Sequence, residues 1–343
     1  MAVLSTINPT LADVTNRMTA DGKIDPQIVE MLKETNEVLD DMTVIEANGF
    51  TEHKTTIRSG LPTGTWRKLN YGVQPEKSRT VQVKDSMGML ETYAEVDKAL
   101  ADLNDNSAAW RLSEDRAFIE GMNQTMAQTL FYGDSSLDPE KFMGLTPRYN
   151  SKSAENGINI IDAQGTGSDN ASIWLVVWGP NTLHTIYPKG SMAGLNSRDL
   201  GEHTLIDSAG GRYQGYRTHY KWDLGMTLRD WRYVVRIANI DVSDLTKNPG
   251  ALTANAGVLD TVGGSDLIDL MTQAIELIPN AGLGRSVFYM PRKLRSFLRR
   301  QIVSKVAQST LTMEDVAGKK VVSFDGIPCR RVDSLLLTEA RVV

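Results

Sequence analysis

Two pairs of residues have the types and spacing to do chemistry. "HTLID" and "HYKWD" each place a histidine four residues before an aspartate, giving His203–Asp207 and His219–Asp223. Imidazole and carboxylate suit a divalent transition metal. Four such groups gathered by a fold would support a metal-dependent enzyme using His203 and His219. The spacing itself argues against this. His219 falls in a predicted strand, where residues four apart share a face but stand too far apart to chelate one ion. His203 falls in a polar stretch that reads as a loop. HExxH is absent, and the single cysteine, Cys329, excludes both a cysteine-based zinc site and a disulfide within the chain.

Other motifs fail on order or context. "GKK" at 318–320 lacks the upstream glycine and the Ser/Thr of a phosphate-binding loop. "GTGSDN" at 165–170 has two of the three dinucleotide glycines, but a strand follows where a helix is required. "GSMAG" at 190–194 puts its serine second, so it is no nucleophile elbow. No catalytic residue, metal or cofactor is predicted.

Basic side chains do cluster. The helix predicted over 291–305 carries Arg292, Lys293, Arg295, Arg299 and Arg300, and ends at Lys305. That face suits nucleic acid or an acidic partner. It equally suits plain solvation opposite Leu294, Phe297, Leu298 and Ile302. The whole chain is acidic, with 37 Lys and Arg against 42 Asp and Glu and a net charge of −5. A protein that grips DNA by its phosphates is usually basic, so any DNA contact here is local and weak. The longest apolar run near the middle, "IWLVVW", is far too short to span a bilayer, and "MAVLSTINPT" has no signal-peptide character. A soluble protein without membrane contact is expected.

The 343 residues, 41% of them apolar, can bury sizeable cores. Residues 1–45 read as an arm, with one amphipathic helix opened by Pro26 and striped by Ile28, Leu32, Leu39 and Met42. Residues 97–132 read as a helix of about 35 residues that "NDNS" at 104–107 could interrupt. Asp97 caps it, Phe118, Met122, Met126 and Leu130 line it, and Gly133 ends it. "IWLVVW" is a buried strand. "YRTHYKWDLGMTLRDWRYVVRIANI" gives two or three strands, broken near Gly225 and at Arg229–Asp230. "SDLIDLMTQAIELI" is a helix capped by Ser265. "SVFYM" is a strand before the helix at 291–305, and two strands flank Asp325–Gly326. Strands and helices segregate, so the class is α+β.

The segment 49–85 is the anomaly. It is strand-prone, with Leu69, Tyr71 and Val73 alternating with polar residues and Val81 and Val83 doing the same. It is also basic and has almost nothing to bury. A hairpin alone is marginal in water. One reading is a solvated hairpin on a globular domain. The other is an extended arm lying on a neighbouring subunit, with Arg58, Trp66, Arg67, Lys68, Tyr71, Lys77 and Arg79 in the contact.

A polar arm, a basic β-hairpin, a long helix, a larger α+β region and a closing β segment together resemble the major capsid proteins of tailed bacteriophages, the Hong Kong 97 (HK97-like) fold. "GIPCRRVDSLLLTEARVV", "GYRTHYKWDLGMTLRDWRYVVRIANID" and "WLVVWGPNTLHTIYPKGSMAGL" look most like the capsid proteins of short-tailed phages. The resemblance implies an N-terminal arm at 1–45, an extended loop at 49–85 and a peripheral domain at 86–150 with its spine helix near 97–132. It further implies an axial domain at 150–315 and a returning peripheral segment at 316–343. It implies self-assembly through pentamers and hexamers into an icosahedral shell around double-stranded DNA, in the host cytoplasm. A portal and a decoration protein are partners of the same kind. Because the arm begins without a long charged prodomain, a separate scaffolding protein is expected. A cellular nanocompartment shell, encapsulin-like, is the alternative within the same fold.

Some members of that family lock their shells by isopeptide bonds between a loop lysine and an asparagine of a neighbour. Lys68 and Lys77 are available here. The returning segment has no asparagine, since Asn280 is the last in the chain. A shell without covalent crosslinks is expected.

Overall fold

The computed structural model describes residues 33–102, 107–207, 209–247, 266–304, 311–316 and 319–343. Most of the predicted leader helix lies outside these residues. Its described end is α1 (Val38–Asp41), where Val38 is buried and Leu39 and Met42 pack on the same core. Three strands follow: β1 (Val44–Glu46), β2 (Glu52–Gly60) and β3 (Arg79–Asp97).

The predicted 97–132 helix is described in two pieces, α2 (Lys98–Ala101) and α3 (Ser107–Tyr132), with 103–106 outside the described residues. Asp97 caps the first piece, its carboxylate accepting from the Ala99 N–H at 2.8 Å. Met122, Met126 and Leu130 are buried and Phe118 packs beside them, as the four-residue spacing requires. Gly133 follows the last turn. A side chain there would meet the Phe142 carbonyl oxygen at 2.5 Å, so only glycine fits.

A short helix, α4 (Leu145–Arg148), leads into the strands β4 (Ile160–Asp162), β5 (Asn170–Trp178), β6 (Leu183–Tyr187), β7 (Asn196–Ile206), β8 (Arg212–Leu228) and β9 (Val234–Asp241). Beyond them come α5 (Val242–Lys247), α6 (Leu267–Glu276), β10 (Arg285–Met290), α7 (Arg292–Ser304), β11 (Leu311–Val316), β12 (Lys319–Phe324) and β13 (Ile327–Arg331). The described strands form one hydrogen-bonded network, ordered β11-β12-β13-β10-β5-β6-β8-β3-β2. β1 joins β6, β7 joins β8, and β9 joins both β4 and β5.

β5 explains the layering. All nine of its residues are buried. Trp174, Val176 and Trp178 face one core with α3, while Ala171, Ile173 and Leu175 face a second core with α6 and α7. β9 and β10 divide their side chains in the same way. A strand covered on both faces reads as a continuous apolar run, which is why "IWLVVW" lacks alternation.

Three expectations need correction. β8 runs unbroken through Gly225, where the chain passes so close to Ser86 that a side chain would meet its carbonyl at 2.8 Å. The break falls only at Arg229–Asp230. His203 lies in β7 rather than in a loop. Asp266, not Ser265, caps α6, accepting from the Ile268 N–H at 3.2 Å; Ser265 lies outside the described residues. The turn at Asp325–Gly326 is as predicted, with both residues at positive φ as a tight hairpin demands.

Candidate assembly surface and its anchors

β2 and β3 pair antiparallel from Glu52–Ser86 to Gly60–Arg79, and β3 then continues against β8. The strand expected at 69–73 does not form. Its alternation would need a face to bury. Leu69 is instead 85% exposed, Tyr71 71% and Trp66 99%. The tip is held mainly by Thr63, whose N–H and Oγ both donate to the Glu76 carboxylate, at 2.6 and 3.0 Å. Arg58, Arg67, Lys68, Lys77 and Arg79 are exposed alongside these aromatic residues. All seven residues singled out in the sequence therefore sit on one projecting element, none of them in the core of its own subunit.

The root of the hairpin is the opposite in character. His53, Thr55 and Asp85 are buried there. Arg148 on α4 donates to Asp85 at 2.8 Å and to the Met226 carbonyl at 3.1 Å, tying hairpin to sheet. His53 meets His184 of β6 edge to face, with ring centroids 6.0 Å apart. Burial, reinforced by Arg229, holds the His184 imidazole down at about 4; His53 is lowered by the same two causes in the same order.

The proposed basic face of α7 is only partly presented. Arg292 pairs with Asp333 at 2.8 Å. Arg295 is turned partly inward, and burial lowers its pKa. Lys293, Arg299 and Arg300 are exposed. The side chain of Lys305 lies outside the described residues.

The histidine–aspartate pairs do not converge. His203 stands opposite Gly215 in the β7–β8 ladder, and His219 stands opposite Arg198, so they are four positions apart along β8. His219 stacks on Tyr93 at 4.5 Å and meets Glu91 at 3.2 Å. Asp223 is engaged by Lys221 at 3.3 Å, and Asp207 caps a turn through the Gly211 N–H at 2.7 Å. Among the described residues, no group of three or more His, Cys, Asp or Glu could hold a metal ion. Nor is any described helix long and apolar enough to cross a membrane.

A family model described as "Major capsid protein GP7" matches residues 19–343. The chain belongs to the GP7 major capsid protein family. It is similar to a chain in the cryo-EM structure of bacteriophage Epsilon15, with 38% identity, 100% of this chain and 99% of that chain covered, and a TM-score of 0.77. More distant likenesses include the bacteriophage JBD30 capsid, at 9% identity, 89% and 92% coverage and a TM-score of 0.47. The SrpI encapsulin of Synechococcus elongatus PCC 7942 stands at 9%, 67% and 96%, and 0.45. No curated protein matches. The fold is the HK97-like capsid fold, and the protein is a structural shell subunit of a phage virion that assembles with copies of itself.

Two anchors of this capsid subunit escaped the sequence reading. One is the buried root just described. The other holds the closing segment. Arg236 on β9 pairs with Glu339 at 2.9 Å, donates to the Tyr149 carbonyl at 2.7 Å and lies 5.1 Å over the Trp174 ring. Glu339 also accepts from Ser172 and Tyr132. Nearby, Asn239 at φ 59° clamps Val342, accepting its N–H at 2.8 Å and donating to its carbonyl at 2.9 Å. The available signal was a lone arginine inside the apolar run "VVRIANI".

Proposed function

We propose that this subunit closes an icosahedral shell of pentamers and hexamers around double-stranded DNA, with residues 61–78 seated on a neighbouring subunit. The observation that carries the reading is the tip itself. Leu61, Trp66, Leu69 and Tyr71 are large apolar or aromatic side chains, exposed on a segment that buries nothing against its own core. Exposed apolar patches on a projecting element mark interaction sites, and closed shells are built from reciprocal contacts of this kind. The loop's seven Lys and Arg residues, Lys54, Arg58, Arg67, Lys68, Lys77, Arg79 and Lys84, complement an otherwise acidic subunit.

The proposed domain plan is an arm at 1–45, an extended loop at 49–85, a peripheral domain at 86–150, an axial domain at 150–315 and a returning segment at 316–343. The subunit is non-catalytic, needs no cofactor and assembles in the host cytoplasm on a separate scaffolding protein. A portal and a decoration protein complete the particle. Lys68 and Lys77 form no isopeptide bond. Packaged DNA touches the inner wall weakly, since each subunit carries a net charge of −5. Contacts from Lys293, Arg299 and Arg300 are local.

Deleting 61–78 from the full chain tests the reading. The expected result is a folded subunit with unchanged thermal stability that forms no closed particles. A deletion that unfolds the subunit, or one that still assembles, contradicts it.

A further inference from the structure

The hairpin root brings together buried polar groups that leave hydrogen-bonding atoms unused. His53 Nε2, Thr55 Oγ1, Thr227 Oγ1 and Asp85 Oδ2 are buried without a hydrogen-bond partner, and the buried His184 ring has only the Gly179 backbone to turn to. His184 is directly opposite Thr227 in the β6–β8 ladder, and His53 is directly opposite Asp85 in the β2–β3 ladder. Such groups are normally paired, so a cluster of them at one junction needs a reason.

One bond fixes the protonation of His53. The Asn48 N–H donates to His53 Nδ1 at 3.2 Å, so that nitrogen carries no proton and the neutral ring holds its proton on Nε2. The same Asn48 side chain grips the strand start, donating to the Lys54 carbonyl at 2.7 Å and accepting from the Lys54 N–H at 2.9 Å. A proton added to Nδ1 would face the Asn48 N–H donor to donor, and the strand would lose that hold.

The surroundings offer little to a second charge. Arg229, beyond β8, faces both rings. From α4, Arg148 already takes one oxygen of Asp85, the carboxylate that acts on His53; Asp85 favours the charged ring, but less than burial and Arg229 oppose it. His184 faces His53, Arg229 and the Gly179 backbone. Glu52 and Lys54 flank His53 in sequence but pair with each other at 2.8 Å. Farther along β8, Asp223 is engaged by Lys221.

We propose that the root of the extended hairpin is a protonation-sensitive latch: neutral His53 and His184 hold β2 and β3 against β6 and β8, and charging them releases the hairpin. The released element is the projecting loop, so the latch would let its angle change without unfolding the two cores.

The direction follows from the lowered imidazoles. Both rings bind protons more readily when the root is open. The closed root is fully favoured above the ordinary histidine value of 6.5 and loses that preference as pH falls below it, toward about 4 for His184. Within that window each pH unit shifts the equilibrium toward opening by up to about tenfold per histidine.

Hydrogen exchange on the full chain tests this, corrected for the intrinsic pH dependence of exchange. Between pH 7.5 and 5.0, protection of the β2 amides should fall at least about tenfold, while that of the β9 amides stays constant. The double variant His53→Gln/His184→Gln should show no such loss. Constant β2 protection in the unsubstituted chain overturns the proposal, as does a loss shared equally by β9 or one equally large in the double variant. Should the double variant fail to fold, His53→Gln alone keeps a side-chain oxygen for the Asn48 N–H. It should lose less β2 protection than the unsubstituted chain, and an equal loss overturns the latch.

Discussion

Arg236 and Glu339 form an ion pair at 2.9 Å with both side chains almost wholly buried. They lie 103 residues apart in the chain and join β9 to the closing segment. Every polar atom brought in must be matched, and Ser172, Tyr132 and the Tyr149 carbonyl supply the matches. Burying such a pair costs desolvation that its attraction only partly offsets, whereas removing one partner leaves a naked charge in the core.

Arg236→Ala and Glu339→Ala should therefore each destabilise the subunit by about 3–5 kcal/mol. The double substitution should cost clearly less than the sum, because neither charge is then left alone. Urea unfolding of the four species measures this. Single substitutions costing under about 1 kcal/mol would mean that water reaches the pair.

Trp66→Ala should leave the unfolding midpoint of the subunit unchanged, since Trp66 is 99% exposed and surface changes cost within about 0.5 kcal/mol. Assembly yield should drop, because a large aromatic residue at an interface centre is the usual anchor. Light scattering during assembly reads this. A subunit destabilised by Trp66→Ala, with assembly intact, would place the tryptophan in its own core.

Cys329 is wholly buried, and burial pushes its thiol up to about 12. The thiolate is the reactive form, so a maleimide should not label the native particle at pH 7.5 and should label one site per chain in denaturant. Rapid native labelling would show that the core around α7 and β13 opens readily.

Denaturing electrophoresis of mature particles should give one band near 37.8 kDa, the mass of the single chain. Lys68 and Lys77 need an amide carbon and a buried acid to form an isopeptide bond. A ladder of covalent oligomers stable to boiling and reductant would show that they find both.

Much of the fold was legible because local pattern and tertiary context agree. β5 reads as a buried run, α3 shows its four-residue stripe, and Asp325–Gly326 announces its hairpin. The misreadings have physical causes. Leu69–Val73 alternates like a strand but pairs with no strand among the described residues, and Leu69 and Tyr71 are left exposed. Gly225 reads as a breaker, whereas it admits a close strand crossing. The pairs Arg236–Glu339 and His53–His184 unite distant segments, and no spacing rule exposes such partners. Only the placement of a charged residue in an apolar run hinted at the first.

The most direct measurement is cryo-electron microscopy of the assembled protein at a resolution that traces side chains. Closed particles are expected, in which residues 61–78 lie over an adjacent subunit with Trp66, Leu69 and Tyr71 buried between chains. Small soluble oligomers, or particles in which that loop folds back onto its own subunit, would contradict it.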